Sequence, residues 1–190
     1  MRHAWSFVLL ASCMFRPDDQ EEPPAPATKR VFVTRGTYTG ALASYVEARS
    51  GLEAADLICQ LRAKAADLGG TWVAWLSSST SDAIERVTDL GPWTMLDGQV
   101  AFEDRSQLFG EPLVPLDVDE RGEVLEEYAL PSVYVWTGTR AGGLRHADTC
   151  GDWTVTSGQG HFGRRSWSFA WTDDGSTSCD RQYRLVCLEI

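Results

Sequence analysis

Lysine is almost missing from this chain: Lys29 and Lys64 are the only two among 17 bases, which face 27 acids for a formal net charge of −10. Binding to a phosphate backbone rests on clustered cations, so this balance argues against a nucleic acid partner. The deficit is local. Asp82 to Glu127 carries thirteen acids against Arg86, Arg105 and Arg121. Long apolar runs are missing too. The stretch Ala4 to Leu10 falls far short of the roughly 18 residues a spanning helix needs, and no other stretch comes closer. Metal-ligand spacing is missing as well: no two cysteines stand two to four residues apart, and neither His146 nor His161 forms an H-x-x-x-H or C-x-x-C pair with a neighbour. There is no G-x-S-x-G nucleophile elbow, no internal repeat and no asparagine.

What remains is the composition of a folded chain, 43% hydrophobic and 23% charged over 190 residues, enough for one domain with a core and a tail. Met1 to Phe15 places Arg2 and His3 before the apolar stretch and small residues after it, the layout of an export signal. Leu10-Ala11-Ser12-Cys13 resembles a bacterial lipobox, which implies a lipid-modified Cys13 at the head of the mature chain. Residues Arg16 to Thr28 carry four prolines and four acids without apolar periodicity, as an extended tether does. The expected division is therefore a signal peptide over 1–12, a lipidated cysteine and tether over 13–28, and a domain over 29–190.

Four cysteines remain in the domain, Cys59, Cys150, Cys179 and Cys187. An even number in a chain marked for export predicts two disulfides, and spacing alone leaves all three pairings open. Lys29 to Tyr38 alternates as an opening strand before a turn at Gly36. Ser50 and Glu53 form a capping box, and Ala54, Ile58, Leu61, Ala65 and Leu68 give a helical stripe that ends at Gly69-Gly70, with Cys59 at its edge. Thr71 to Ser77, Ser132 to Thr137 and Tyr183 to Glu189 read as strands, and Ser81 to Val87 as a short capped helix. Long turn-rich segments between them predict a loop-heavy α+β domain.

Several of these segments carry a family signature: Gly40, Ala55-Asp56-x-x-Cys59, Leu68-Gly69-Gly70-Thr71-Trp72-Val73-Ala74-Trp75-Leu76-Ser77, Val135-Trp136-x-Gly138, Thr149-Cys150-Gly151-Asp152-Trp153, Cys179 and Val186-Cys187-Leu188-Glu189. In this order and spacing they resemble the endostatin domain of type XVIII collagen and its bacterial exported relatives, from about Lys29 to Ile190. The resemblance implies a divergent C-type-lectin-like fold of the α+β class with two nested disulfides, Cys59 to Cys187 and Cys150 to Cys179. The family's zinc site is not implied. Asp97 matches its aspartate, but Arg30 stands where a histidine belongs and the tether supplies none. A basic heparin surface is not implied either, because the acidic middle would repel sulfated chains.

Other motifs invite sharper readings. Gly158-Gln159-Gly160-His161-Phe162-Gly163 spells a dinucleotide fingerprint without the strand–helix context that gives it meaning, and reads as a flexible glycine loop. Asp117, Asp119 and Glu120 begin like a calcium loop, but Arg121 and Tyr128 replace two oxygen ligands, which leaves a solvated acidic turn able at most to hold weak calcium. Asp173 and Asp174 sit where C-type lectins place part of a calcium-dependent sugar site, yet the asparagine of the usual triplets is absent. Most tryptophans belong in the core, while Trp93 after Gly91-Pro92 and Trp167 beside Arg164 and Arg165 are expected at the surface. Trp93, Trp167, Arg164, Arg165, Asp173 and Asp174 are thus the candidate ligand-binding residues.

A Ser-His-Asp arrangement can be drawn with His146 or His161, but no local signature supports one. The expectation is a noncatalytic extracytoplasmic binding module, without a resident cofactor, taking an extracellular or envelope protein or glycan through its loops. The alternatives are a structural envelope lipoprotein with a fixed partner, and a metal-dependent hydrolase built on Asp97, His146 and His161. Two or more acyl chains anchor a protein stably where one does not. Cys13→Ala should therefore move the protein from membranes to the soluble fraction, read by fractionation and immunoblot; an unchanged distribution removes the anchor.

Overall fold

The computed structural model describes residue 1 and residues 28–126 and 132–190. The expected signal segment from residue 2 on, Cys13 and the tether up to residue 27, together with Glu127 and Tyr128, lie outside the described residues.

The chain opens with β1 (Lys29–Val33), followed by α1 (Gly51–Ala65), β2 (Trp72–Ala74) and the single turn α2 (Ala83–Arg86). A hairpin of β3 (Trp93–Met95) and β4 (Val100–Phe102) comes next, then β5 (Tyr134–Trp136), the turn α3 (Cys150–Trp153), β6 (Gln159–Arg164), β7 (Gly175–Ser178) and β8 (Val186–Glu189). Five strands form one sheet in the order β2-β8-β1-β3-β4, and three form a second in the order β5-β6-β7. β1 pairs antiparallel with β8 and parallel with β3. Among the described residues no helix is long and apolar enough to cross a membrane.

The period of two along a strand divides the core. Val31 and Val33 of β1 and Val186 and Leu188 of β8 join one buried cluster with Trp93, Trp75 and Trp171. Phe32 and Cys187, one residue out of phase, join the other with Ile58, Cys59 and Trp72. α1 covers this second face. Ser50 caps it by accepting the Glu53 amide (3.2 Å), but the Glu53 carboxylate takes the Arg49 amide (2.7 Å), one residue before the cap. The buried stripe is also rotated from the expected one. Ala54, Ala55, Ile58, Cys59 and Ala63 are buried, whereas Leu61 is 53% exposed. Cys59 lies at the centre of that face because its sulfur is bonded to Cys187 of β8.

The second disulfide joins Cys150 to Cys179, nested within the first. Sequence separations of 128 and 29 residues correspond, in the chain-entropy account, to about 5 and about 3.5 kcal/mol of unfolded-state restriction. All four residues of α3 have positive φ, between 51° and 63°, a left-handed turn that only surrounding contacts sustain.

The expected glycine loop is instead β6, hydrogen-bonded to strands on both sides. Its glycines answer close approach rather than flexibility. A Cβ on Gly163 would run into the Trp171 carbonyl, and one on Gly160 into the Cys150 sulfur and, at 2.8 Å, the Trp136 ring. Gly163→Ala is therefore expected to cost about 2 kcal/mol or more. Gly98→Ala, at a φ of 92° with nothing within 4 Å, should cost about 1 kcal/mol. Urea unfolding of the two variants checks the ordering; equal losses would contradict the close approach.

Candidate functional site

Residues 165–174, which link β6 to β7, gather most of the candidate ligand-binding residues and send them in different directions. Arg164, the last residue of β6, points outward and binds Asp174 through Nε (3.1 Å) and Nη2 (2.9 Å). Its guanidinium lies between two rings, with Cζ 5.4 Å from the Tyr134 centroid and 3.9 Å from that of Trp167. Trp167 in turn sits 5.4 Å from Phe169, at an interplanar angle of 31°. Trp167 is 47% exposed and Phe169 67%.

This outward pair is the visible end of a stack rooted in the core. Trp153 packs on Trp136 (5.8 Å), Trp136 on Tyr183 (4.5 Å), and Tyr183 on Tyr134 (5.1 Å), the ring under Arg164. The Trp136 indole donates to the Tyr38 carbonyl (2.8 Å) and the Trp153 indole to that of Ser77 (2.7 Å). Aromatic pairs and a guanidinium over an indole face each add to burial alone. The stack therefore holds Trp167 in place from beneath.

Arg165, expected in the ligand-binding set, faces inward and is fully buried. Its Nη2 donates to the Leu125 carbonyl (2.9 Å) and its Nε to that of Ser132 (3.4 Å). Successive side chains of an extended chain alternate in direction, so one arginine of the pair reaches solvent and the other tethers a neighbouring segment. Trp93 is also buried rather than exposed, with its indole donating to the Glu189 carbonyl (2.9 Å). Trp93 leaves β3 on the sheet face that carries the first core cluster, which encloses its ring.

Asp173 turns away from Arg164 and Asp174. Its Oδ2 accepts the Ala141 amide (2.9 Å) and its Oδ1 accepts from His161 Nε2 (2.8 Å). The carboxylate can only accept, so Nε2 carries the proton and Nδ1 receives the Ser176 hydroxyl (3.0 Å). A Ser-His-Asp chain is thus present, but His161 and Ser176 are directly opposed in the β6–β7 register, and the ring is 4% exposed beneath His146. The two imidazoles stack at 4.1 Å and 15°. His146 Nδ1 accepts the Asp148 amide (3.0 Å). The sequence grouped these histidines only with Asp97 and gave no local signal for their stacking; the 138–149 segment folds back over β6 through His146 N to Gly138 O and His161 N to Asp148 O. An open concavity beside them is lined by Ser79, Arg140, Arg145, His146 and Ala147.

Asp97 lies in the β3–β4 turn, bound to Gln99, while His146 and His161 belong to the elements around the three-stranded sheet. The trio expected for a hydrolase is not assembled, and no group of three or more His, Cys, Asp or Glu fit for a metal occurs among the described residues. The acidic turn is not the solvated one expected. Asp119 is buried and takes Arg35 Nε (2.5 Å) and the amides of Arg121 and Glu123; Glu120 takes the Arg35 amide (2.7 Å). Arginine occupies the role a calcium ion would fill there.

Burial pushes the His161 pKa below 6.5, the Asp173 contact opposes that, and the charge of His146 when protonated adds to the depression. The unfolded chain then binds the proton more readily than the folded one. Stability should rise with pH between the depressed folded value and 6.5, and be lost as pH falls through that window. His161→Gln should flatten this part of the profile, read as urea midpoints between pH 5 and 7.5; an unaltered slope would assign the loss to other groups.

Placed beside known proteins, the chain has no match among curated sequences. The family described as Collagenase NC10 and Endostatin matches residues 41–190, a span that contains α1, both disulfides and the whole loop bearing Trp167. With its α+β architecture and nested Cys59–Cys187 and Cys150–Cys179 bridges, the chain belongs to the endostatin family.

Proposed function

We propose that this endostatin-family domain is a noncatalytic extracytoplasmic binding module, displayed on the bacterial envelope from a lipidated Cys13, that takes a protein or glycan ligand on the loop between β6 and β7. The observation that carries the reading is the Trp167–Phe169 pair, exposed to solvent while stacked through Arg164 onto a column of core rings. Exposed aromatics that are already ordered lose little entropy on binding, the property of interface anchors. Two disulfides suit an oxidising compartment. Membership of the family supports a noncatalytic role.

Calcium does not enter this reading, because Asp173 is taken by His161 and Ala141, and Asp174 by Arg164. Glycan and protein arrays probed with the full chain, with and without calcium, test it. Hits should be calcium-independent and weaken about tenfold or more in Trp167→Ala/Phe169→Ala, the loss typical of a pair of anchor residues. Hits indifferent to that double variant, or hydrolase turnover abolished by His161→Ala, would overturn the reading.

A further inference from the structure

The Trp167–Phe169 pair does not stand alone. The segment that follows β4 is bound against its loop: the Trp171 indole donates to the Gly110 carbonyl (2.8 Å), Leu116 N to Arg165 O (2.9 Å), and the Ser168 hydroxyl meets Glu111 Oε2 at 3.5 Å. These bonds bring the acidic middle of the chain to the edge of the aromatic surface. Phe109, 46% exposed, immediately precedes this contact. Glu103 and Glu111 are exposed, and no cation pairs with either among the described residues.

The rings here already bind cations of the protein itself. Arg164 lies 3.9 Å over Trp167, and Arg105 lies 5.8 Å over Phe109. Asp174 at 2.9 Å offsets the charge of Arg164. Arg105 donates to the neutral carbonyls of Val87 (2.7 Å) and Ile84 (2.6 Å) and keeps its charge beside Phe109, so the seat for a further cation is the Trp167–Phe169 pair rather than Phe109. Aromatic faces attract cations, and a carboxylate that no cation pairs with among the described residues, as at Glu111, answers the remaining charge. A sulfated or acidic ligand would meet repulsion from the same carboxylates.

Resting on the reading of this loop as the binding surface, we infer that its ligand is a basic protein segment, with arginine or lysine side chains seated against Trp167 and Phe169 and paired with Glu111. The chain's net charge of −10 would steer such a partner from a distance, and the rings would fix where it docks.

Titration of the full chain with hexaarginine, hexaglutamate, cellohexaose and chitohexaose, followed by tryptophan fluorescence, tests the inference. Hexaarginine should bind, and weaken about fivefold or more between 50 and 300 mM salt, as charge-steered contacts do. Trp167→Ala should weaken it about fivefold or more, the scale of one cation–π contact. Glu111→Gln should weaken it clearly, while Glu47→Gln, which removes the same charge from the exposed Glu47 outside this loop, should not. Equal effects of the two glutamate variants, or no effect of Trp167→Ala, would overturn the inference by showing mere attraction to net charge. Salt-independent binding of an oligosaccharide that Trp167→Ala abolishes would overturn the basic partner but leave the loop as the binding surface. Array hits untouched by Trp167→Ala/Phe169→Ala would instead remove the surface itself.

Discussion

The bond between Cys59 and Cys187 decides how the two layers of this molecule meet. Cys187 sits in β8, between β1 and β2 and so inside the five-stranded sheet, and Cys59 sits in the helix that covers one face of it. With that sulfur fixed, the residues one step away, Val186 and Leu188, must point to the opposite face, where they pack in the cluster of Trp75, Trp93 and Trp171. The same bond rotates α1. Cys59 moves to the middle of the buried stripe, and Leu61 is left in solvent beside Tyr45, Val46 and Arg62.

From this frame the outward surface follows by contact. Cys150, held by Cys179, abuts the glycine strand at Gly160, and Gly163, three residues later, lets the backbone of Trp171 come close. That close approach brings the end of the 165–174 loop onto β6, while Arg164 and Asp174 clamp its two ends together. Trp167 is then supported by Arg164, Tyr134, Tyr183 and Trp136 in succession. The chain thus presents an ordered indole to solvent from a region with almost no regular secondary structure.

Local chemistry was legible in the sequence wherever a local cause acts. The Ser50 cap, the helix after it and the β-prone runs around Trp72, Val135 and Cys187 all appear where spacing and propensity put them. The cysteine pairing came from family resemblance, and the bonded sulfurs match it. What escaped depends on neighbours distant in sequence. A glycine run looks like a loop until the Cys150 sulfur and the Trp171 carbonyl explain why a strand there tolerates no side chain. Trp93 looks exposed after Gly-Pro until the face of β3 that carries it is seen packed into the first core cluster. Arg164 and Arg165 look equivalent until alternation sends one to a ring and the other to the carbonyls of Leu125 and Ser132. The acids of residues 117–120 looked solvated because Arg35, more than eighty residues earlier, is their partner.

The central physical claim is that Trp167 is at once exposed and immobile, because a guanidinium joins it to the core. Nitrogen-15 relaxation of its indole N–H tests this most directly. The account predicts an order parameter of about 0.85, as for rigid backbone, on a group that solvent reaches freely. A value below about 0.6, the range of flexible segments, would contradict it and leave the loop without a preformed binding surface.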